Sequence, residues 1–301
     1  MKSFEKFISV PLEPLVDPEI REAYIKEQYE TLLEKLITVG GKAYPNFGHI
    51  VIMAGGAGSG KGFVKDNLLG VEGFVFDVDA LKTLASKTPM IVKKVKAEFG
   101  VDLPQLAGNL KDPENVYKLH TILGDTLGLD DKKLMNLYTS VLAAAPDRKP
   151  NIIFDVTLKD LRKLEKITKD TRALGYNPLN IHIVWVINDV EVALKQNAKR
   201  DRTVPVEILV NTHRGAANTM GDILNMGKSL SKYMNGDIVF AFNKVGVDSE
   251  IVKSGRGGMT VIEAEYFYVK KSGSAPTPVK SLESSIKSKI QGYVPKNVDW
   301  T

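Results

Sequence analysis

His49-Ile-Val-Ile-Met-Ala54 runs without a break into Gly55-Gly-Ala-Gly-Ser-Gly-Lys-Gly62 and then into Phe63-Val-Lys-Asp-Asn-Leu-Leu69. A short apolar run bounded by glycines reads as a strand buried on both faces, as in a parallel sheet. The segment after the glycines is helix-compatible. Gly55-x4-Gly60-Lys61 therefore satisfies the phosphate-loop pattern GxxxxGK in the context it requires, strand before and helix after. Glycines allow positive φ and close backbone approach, so consecutive N–H groups across Gly55, Gly56, Ala57, Gly58, Ser59, Gly60, Lys61 and Gly62 can point inward as a nest for phosphate oxygens. The following helix adds its N-terminal partial charge, and Lys61 can reach the β- and γ-phosphates. The residue after Lys61, where a Ser or Thr hydroxyl usually ligates Mg2+, is Gly62. Mg2+ keeps several waters and needs few protein ligands, so Ser59 or a water can fill that place. A loop that binds nucleotide without catalysis is the other reading.

Further strands follow. Gly73 to Phe76 ends at Asp77-Val-Asp79, Asn151 to Phe154 ends at Asp155-Val-Thr157, Ile181 to Ile187 stands alone, and Asp237 to Phe242 ends at Asn243-Lys244. Helical patterns lie between them at 158–174, 190–200 and 206–219, and Gly175 and Pro178 stop the first. Alternation of this kind predicts an α/β fold with a parallel sheet and helices on its faces. Ligands in such sheets sit beyond the carboxyl ends of the strands, where Gly55–Lys61, Asp77, Asp79, Asp155, Thr157 and Asn243 all fall. Asp79 can take the proton of an attacking hydroxyl, or it can cap a helix beginning at Ala80. Asp155 can hold Mg2+ directly or through water, or it can share with Thr157 the capping of the next helix. Lys195, Lys199, Arg200 and Arg202 precede Pro205. The lysines suit a solvated helix face; the two arginines suit either such a face or a lid that stabilises a transferring phosphoryl group. Arg214 is a third candidate, and His213 reads as structural.

Around this core, residues 80–148 are helical in pattern and broken at Pro89, Pro104 and Pro113, which reads as an insertion. Residues 1–47 hold a helix over 18–36, with Ile20, Tyr24, Ile25, Tyr29, Leu32, Leu33 and Leu36 at helical spacing. A strand over 260–269 leads to the linker Lys270-Lys-Ser-Gly-Ser-Ala-Pro-Thr-Pro278, a helix over 279–290 and Trp300. The tail reads as loosely docked or mobile, with a basic arm for nucleic acid as the alternative. The expected divisions are 1–47, 48–269 and 270–301.

The 301 residues hold 41 Lys and Arg against 36 Asp and Glu, a formal charge of +5, and no Cys. Disulfides, thiolate metal sites and cysteine nucleophiles are excluded. With 43% hydrophobic and 26% charged residues, the chain has the composition of a globular protein. No run nears the roughly 18 apolar residues of a membrane helix, and no export signal is evident, so a cytoplasmic setting is expected. The mild positive charge suggests an anionic partner.

The order of these features resembles the zeta-toxin and chloramphenicol-phosphotransferase group of P-loop kinases and is similar to polynucleotide kinases, over roughly residues 48–246. The resemblance implies a three-layer P-loop core, ATP or GTP with Mg2+, and transfer of the γ-phosphate to a hydroxyl of a sugar or nucleotide. Lys61 would contact phosphates, Asp79 would be the base as the second Asp of DxD, and Asp155 with Thr157 would serve metal and substrate. Asp77, Lys82 and Lys159 would lie on the substrate side, Arg200 and Arg202 would be lid arginines, and Asn243 would lie by the adenine. Viral kinases acting on modified bases or nucleotides in DNA look similar, and the net charge leans slightly that way. A kinase acting on DNA or RNA and an inactive nucleotide-binding module are the two alternatives.

Overall fold

The computed structural model describes residues 37–39, 42–45, 47–67, 73–243, 251–253, 260–262 and 265–300. The expected helix over 18–36 and Lys244 lie outside them. The described chain begins with a small hairpin, β1 (Ile37–Val39) and β2 (Lys42–Tyr44), followed by β3 (Ile50–Ala54), α1 (Lys61–Asn67) and β4 (Phe74–Phe76). A helical stretch comes next: α2 (Val78–Ala85), α3 (Pro89–Phe99), α4 (Leu103–Gly108), α5 (Pro113–His120), a π-turn at Thr121–Thr126 and α6 (Leu129–Leu142). The α/β alternation resumes with β5 (Ile152–Asp155), α7 (Leu161–Ala173), β6 (Ile181–Ile187), α8 (Val190–Lys199), α9 (Val206–Asn225) and β7 (Ile238–Phe242). The described chain closes with β8 (Ile251–Lys253), β9 (Thr260–Ile262), β10 (Glu265–Lys270) and α10 (Ser284–Tyr293).

One six-stranded sheet runs in the order β10-β7-β6-β3-β5-β4. β4, β5, β3, β6 and β7 are parallel, and β10 joins β7 antiparallel at the edge. This is the P-loop α/β architecture read from the sequence, with an antiparallel edge strand added. The expected strand over 260–269 divides in two. Thr260–Ile262 pairs with Ile251–Lys253 in a separate hairpin, while Glu265–Lys270 completes the large sheet.

Period-two alternation sorts β3 between two cores. Ile50, Ile52 and Ala54 join the larger cluster, which α7, α9 and α10 cover; Val51 and Met53 join the other with Val64 of α1. Both faces of β3 are therefore buried, which is why its sequence is continuously apolar. The helical stretch has a second core around Ala85, Val95, Leu103, Leu119 and Leu123, while Leu134, Tyr138 and Val141 of α6 join the larger cluster and tie the stretch to the sheet.

The tail differs from the loose or mobile segment its composition suggests. Trp300 is buried, with its ring 5.2 Å from that of Trp185 and 6.4 Å from that of Phe240. Gln291 fastens the chain end, accepting from Trp300 N at 2.7 Å and donating to the Val298 carbonyl at 2.7 Å. Lys289, counted as part of a possible basic arm, lies over the Phe242 ring at 4.8 Å. Aromatic burial outweighs the linker's flexibility because each such ring removes on the order of 150–250 Å² from water.

A polar cluster closes the amino ends of the strands. The Asp237 amide donates to His182 Nδ1 at 3.0 Å, so Nε2 of that ring carries hydrogen and donates to His49 Nδ1, also at 3.0 Å. Tyr44 donates to the Asp237 carboxylate, which also accepts from Ser272 N at 2.7 Å.

Truncation of Trp300 to Ala should cost about 3–5 kcal/mol, the usual range for a buried aromatic. Urea unfolding followed by circular dichroism would show it; a change under ~1 kcal/mol would mean the tail is not part of the core.

Candidate active site

The loop from Gly55 to Lys61 leaves the carboxyl end of the central strand with φ of +139° at Gly55, +75° at Gly58 and +87° at Gly60. A Cβ at Gly55 would sit 2.5 Å from the Val186 carbonyl, so that position is fixed by contact as well as by φ. Lys61 turns back over the loop, donating to the carbonyls of Gly55 at 3.0 Å and Gly56 at 3.3 Å. Its ammonium is 3.9 Å from an Asp155 carboxylate oxygen. Asp155 stands there because β5 pairs in parallel with β3 in the register Met53↔Asp155, which puts the last residue of one strand beside the loop that leaves the other.

Asp160, not Asp155 or Thr157, caps the helix after β5, accepting from Arg162 N at 2.8 Å. Asp155 and Thr157 are thereby released from the capping role that their sequence position allowed. Thr157 holds the loop through its backbone instead, its carbonyl accepting from Gly55 N at 3.2 Å. The next residue, Leu158, is buried at φ +50°, a left-handed conformation in a non-glycine residue beside the loop. Lys159 is exposed, and its backbone packs against Gly215 of α9.

Three long-range side chains hold the loop. Asn243, buried at the end of β7, donates to the Ser59 carbonyl at 2.9 Å and lies against Gly60. Its amide is thus engaged with the loop backbone. Thr212 and His213 of α9 reach Ala57: Thr212 Oγ1 accepts from Ala57 N at 2.9 Å, and His213 Nε2 donates to the Ala57 carbonyl at 2.9 Å. Sequence reasoning gave His213 a structural role without seeing which structure it serves. Burial holds the His213 imidazole below its usual pKa and the Lys61 ammonium acts the same way, against the opposing effects of the Ala57 carbonyl and Asp189. Arg214, the third lid candidate, donates instead to Asn297 and Asn211, both at 3.1 Å.

Not every loop amide is offered inward. Those of Gly55, Ala57 and Ser59 donate to Thr157, Thr212 and Gly56 respectively. The hydroxyl of Ser59 and both amide atoms of Asn188, the residue after β6, are buried without a hydrogen-bond partner among the described residues. Asn188 drew no attention in the sequence, where an Asn before an Asp-capped helix looks like an ordinary turn. Gly62 is exposed, and a Cβ there would meet none of the described residues within 4 Å, so they set no steric requirement for the missing hydroxyl.

Around this centre, α2 begins at Val78, two residues before the expected start. Asp79 is therefore inside the first helical turn, and Asp77 takes the position before the helix. Lys82 is buried, with Nζ 2.5 Å from His120 Nδ1 of the insertion. Arg200 ends α8 and is exposed, as are Lys195 and Lys199, while Arg202 is half-buried. The loop carrying the arginines is built rather than loose. Asn197 bonds Val204 through both its donor and its acceptor, and Thr203 N and Oγ1 donate to the carbonyls of Leu110 (2.9 Å) and Lys111 (2.5 Å).

Among the described residues no group of three or more His, Cys, Asp or Glu side chains could hold a metal ion. A lone carboxylate, Asp155, does fit Mg2+, which binds through one or two carboxylates plus phosphate oxygens and keeps several waters.

With this geometry in view, residues 129–234 match the family model described as Zeta toxin, about a third of the chain. That segment is zeta-toxin-like. It holds Asp155, Thr157, Arg200, Arg202 and His213, whereas Lys61 and Asp79 lie before it. Through that segment the chain resembles the zeta-toxin group. The chain is similar to a crystal structure of AvrRxo1-ORF1:AvrRxo1-ORF2 with sulphate ions, at 12% identity and a TM-score of 0.47, covering 94% of this chain and 75% of that one. A structure of the same pair with ATP gives 11% identity, a TM-score of 0.47, and coverage of 84% and 66%. A structure from the PezAT toxin-antitoxin system of Streptococcus pneumoniae gives 14%, 0.38, and coverage of 77% and 79%. No curated protein matches the chain. Among the described residues no helix is long and apolar enough to cross a membrane.

Because folding lowers the His213 pKa, the unfolded chain takes up that proton first as pH falls below ~6.5, and stability is lost toward acid. His213→Gln removes the titrating group. Between pH 7 and pH 5 the urea midpoint of the wild type should fall further than that of the variant; parallel decline would show that His213 does not titrate in this way. Gly56→Ala places a methyl 2.1 Å from a His213 ring carbon and should cost about 1–3 kcal/mol in the same measurement.

Proposed function

We propose that this protein is a phosphotransferase that moves the γ-phosphate of ATP or GTP to a hydroxyl of a sugar or nucleotide-type acceptor. The observation that carries the reading is the Lys61 ammonium 3.9 Å from the Asp155 carboxylate, at the mouth of a phosphate loop on adjacent parallel strands. A cation that reaches phosphate and a carboxylate that suits a phosphate-bound metal are the two charges such a transfer needs side by side. A cytoplasmic setting, where ATP is available, goes with this reading.

In the proposed mechanism, loop amides and Lys61 bind the β- and γ-phosphates, with Lys61 exchanging its carbonyl partners for phosphate oxygens. Asp155 is the residue that would hold Mg2+, which when bound neutralises charge on those oxygens. Asp79, in the first turn after β4, takes the proton from the acceptor hydroxyl. Arg202, on the loop tied to the insertion through Thr203, supplies positive charge to the transferring group, and Arg200 is its exposed neighbour. Asp77, Lys82, Thr157 and Lys159 border the acceptor side, where the insertion helps set which molecule fits.

The test incubates labelled ATP with a metabolite pool and, separately, with DNA. Wild type should transfer label to a small acceptor. Asp79→Asn should lose about 10²–10⁴-fold in rate while still binding ATP, as expected for loss of a general base. Lys61→Ala should lose binding and transfer together. Label that never leaves ATP despite binding would support the inactive module. Label entering DNA, with binding that weakens steeply with salt, would move the acceptor to nucleic acid.

A further inference from the structure

One peptide of the phosphate loop is gripped on both sides by a single helix. The Ala57 N–H donates to Thr212 Oγ1 and the Ala57 carbonyl accepts from His213 Nε2, each at 2.9 Å. The directions are set by chemistry. Thr212 spends its own hydrogen on the Leu209 carbonyl at 2.7 Å, so toward Ala57 its oxygen can only accept. His213 faces a carbonyl, so its Nε2 must carry the hydrogen. The ring also lies against Gly56, where a Cβ would fall 2.1–2.5 Å from Cδ2, Cγ and Nε2. Both side chains are buried. The contacts span 155 and 156 residues of sequence, so they are features of the fold and not of a local turn.

We infer that Thr212 and His213 are positioning residues for the phosphate site. They turn the Ala57 amide away from the ligand and hold the loop in its phosphate-receiving shape before a nucleotide arrives. The inference rests on reading Gly55–Lys61 as a triphosphate site. Two hydrogen bonds from adjacent positions of a twenty-residue helix fix the peptide's orientation as well as its place. A glycine-rich loop otherwise has many conformations to lose on binding. Holding it beforehand raises affinity by removing that cost, and neither side chain needs to touch the phosphates.

The experiment measures ATP affinity of the full chain by calorimetry for wild type, Thr212→Val, Thr212→Ser, His213→Ala and His213→Gln, with thermal midpoints alongside. Thr212→Val and His213→Ala should weaken ATP binding at least tenfold. Thr212→Ser, which keeps the acceptor, and His213→Gln, which keeps a donor, should stay within about threefold of wild type. Where transfer is measured, KM for ATP should rise with kcat changing less. Folded Val and Ala variants that bind like wild type would overturn the inference. So would Ser and Gln variants that lose as much as Val and Ala. Should His213→Ala fail to fold, the near-isosteric Thr212→Val decides. Wild type that binds no ATP would sink the triphosphate reading separately. The grip itself is then read by hydrogen exchange at the Ala57 amide, where protection should vanish in Thr212→Val and persist in Thr212→Ser; equal protection in both would contradict it.

Discussion

The site depends on the register of β3 against β5. Parallel pairing of Met53 with Asp155 brings a strand-end carboxylate to the mouth of a loop that leaves the neighbouring strand, and Lys61 then sits between the two. A slip of one residue would turn every side chain of β5 to the other face, moving Asp155 away and exchanging Ile152 and Phe154 with Ile153 between the two cores. The register is held by burial. Ile152, Ile153 and Phe154 are enclosed on alternate faces, so the apolar core that stabilises the sheet also fixes where the charges stand.

Several elements distant in sequence converge on the loop. Asn243 from the end of β7, Thr212 and His213 from α9, and the Thr157 carbonyl from the segment after β5 all bond its backbone. The loop has glycine at 55, 56 and 60 where Val186, His213 and Asn243 approach so closely that a Cβ would collide. The insertion contributes from the other side. Its own small core lets residues 110 and 111 accept from Thr203, which ties the arginine-bearing loop to a fixed support.

Much of this was legible in the sequence, because strand alternation and the phosphate-loop pattern are local signals. The central strand, the loop, Asp155 at its strand end and the helical insertion could be read from residue order alone. What depends on distant contacts could not. Whether Asp155 caps a helix was undecidable until Asp160 was seen to do so three residues past Thr157. His213 gave no hint of its partner because Ala57 is 156 residues away. The tail misled for a physical reason. Ser, Pro and Gly in 272–278 signal a flexible connection, but the energetics are decided by Trp300, which buries against Trp185. Arg214, the third candidate, donates to Asn297, a contact across 83 residues that residue order alone does not show.

A crystal structure with a non-hydrolysable ATP analogue and Mn2+ would show whether Lys61 and Asp155 form the two charged halves of a triphosphate site. The γ-phosphate should lie within hydrogen-bonding distance of Lys61 Nζ, with an anomalous peak for the metal beside the Asp155 carboxylate and the Ala57 peptide still held by Thr212 and His213. Phosphates bound away from Lys61, or a metal with no approach to Asp155, would contradict it.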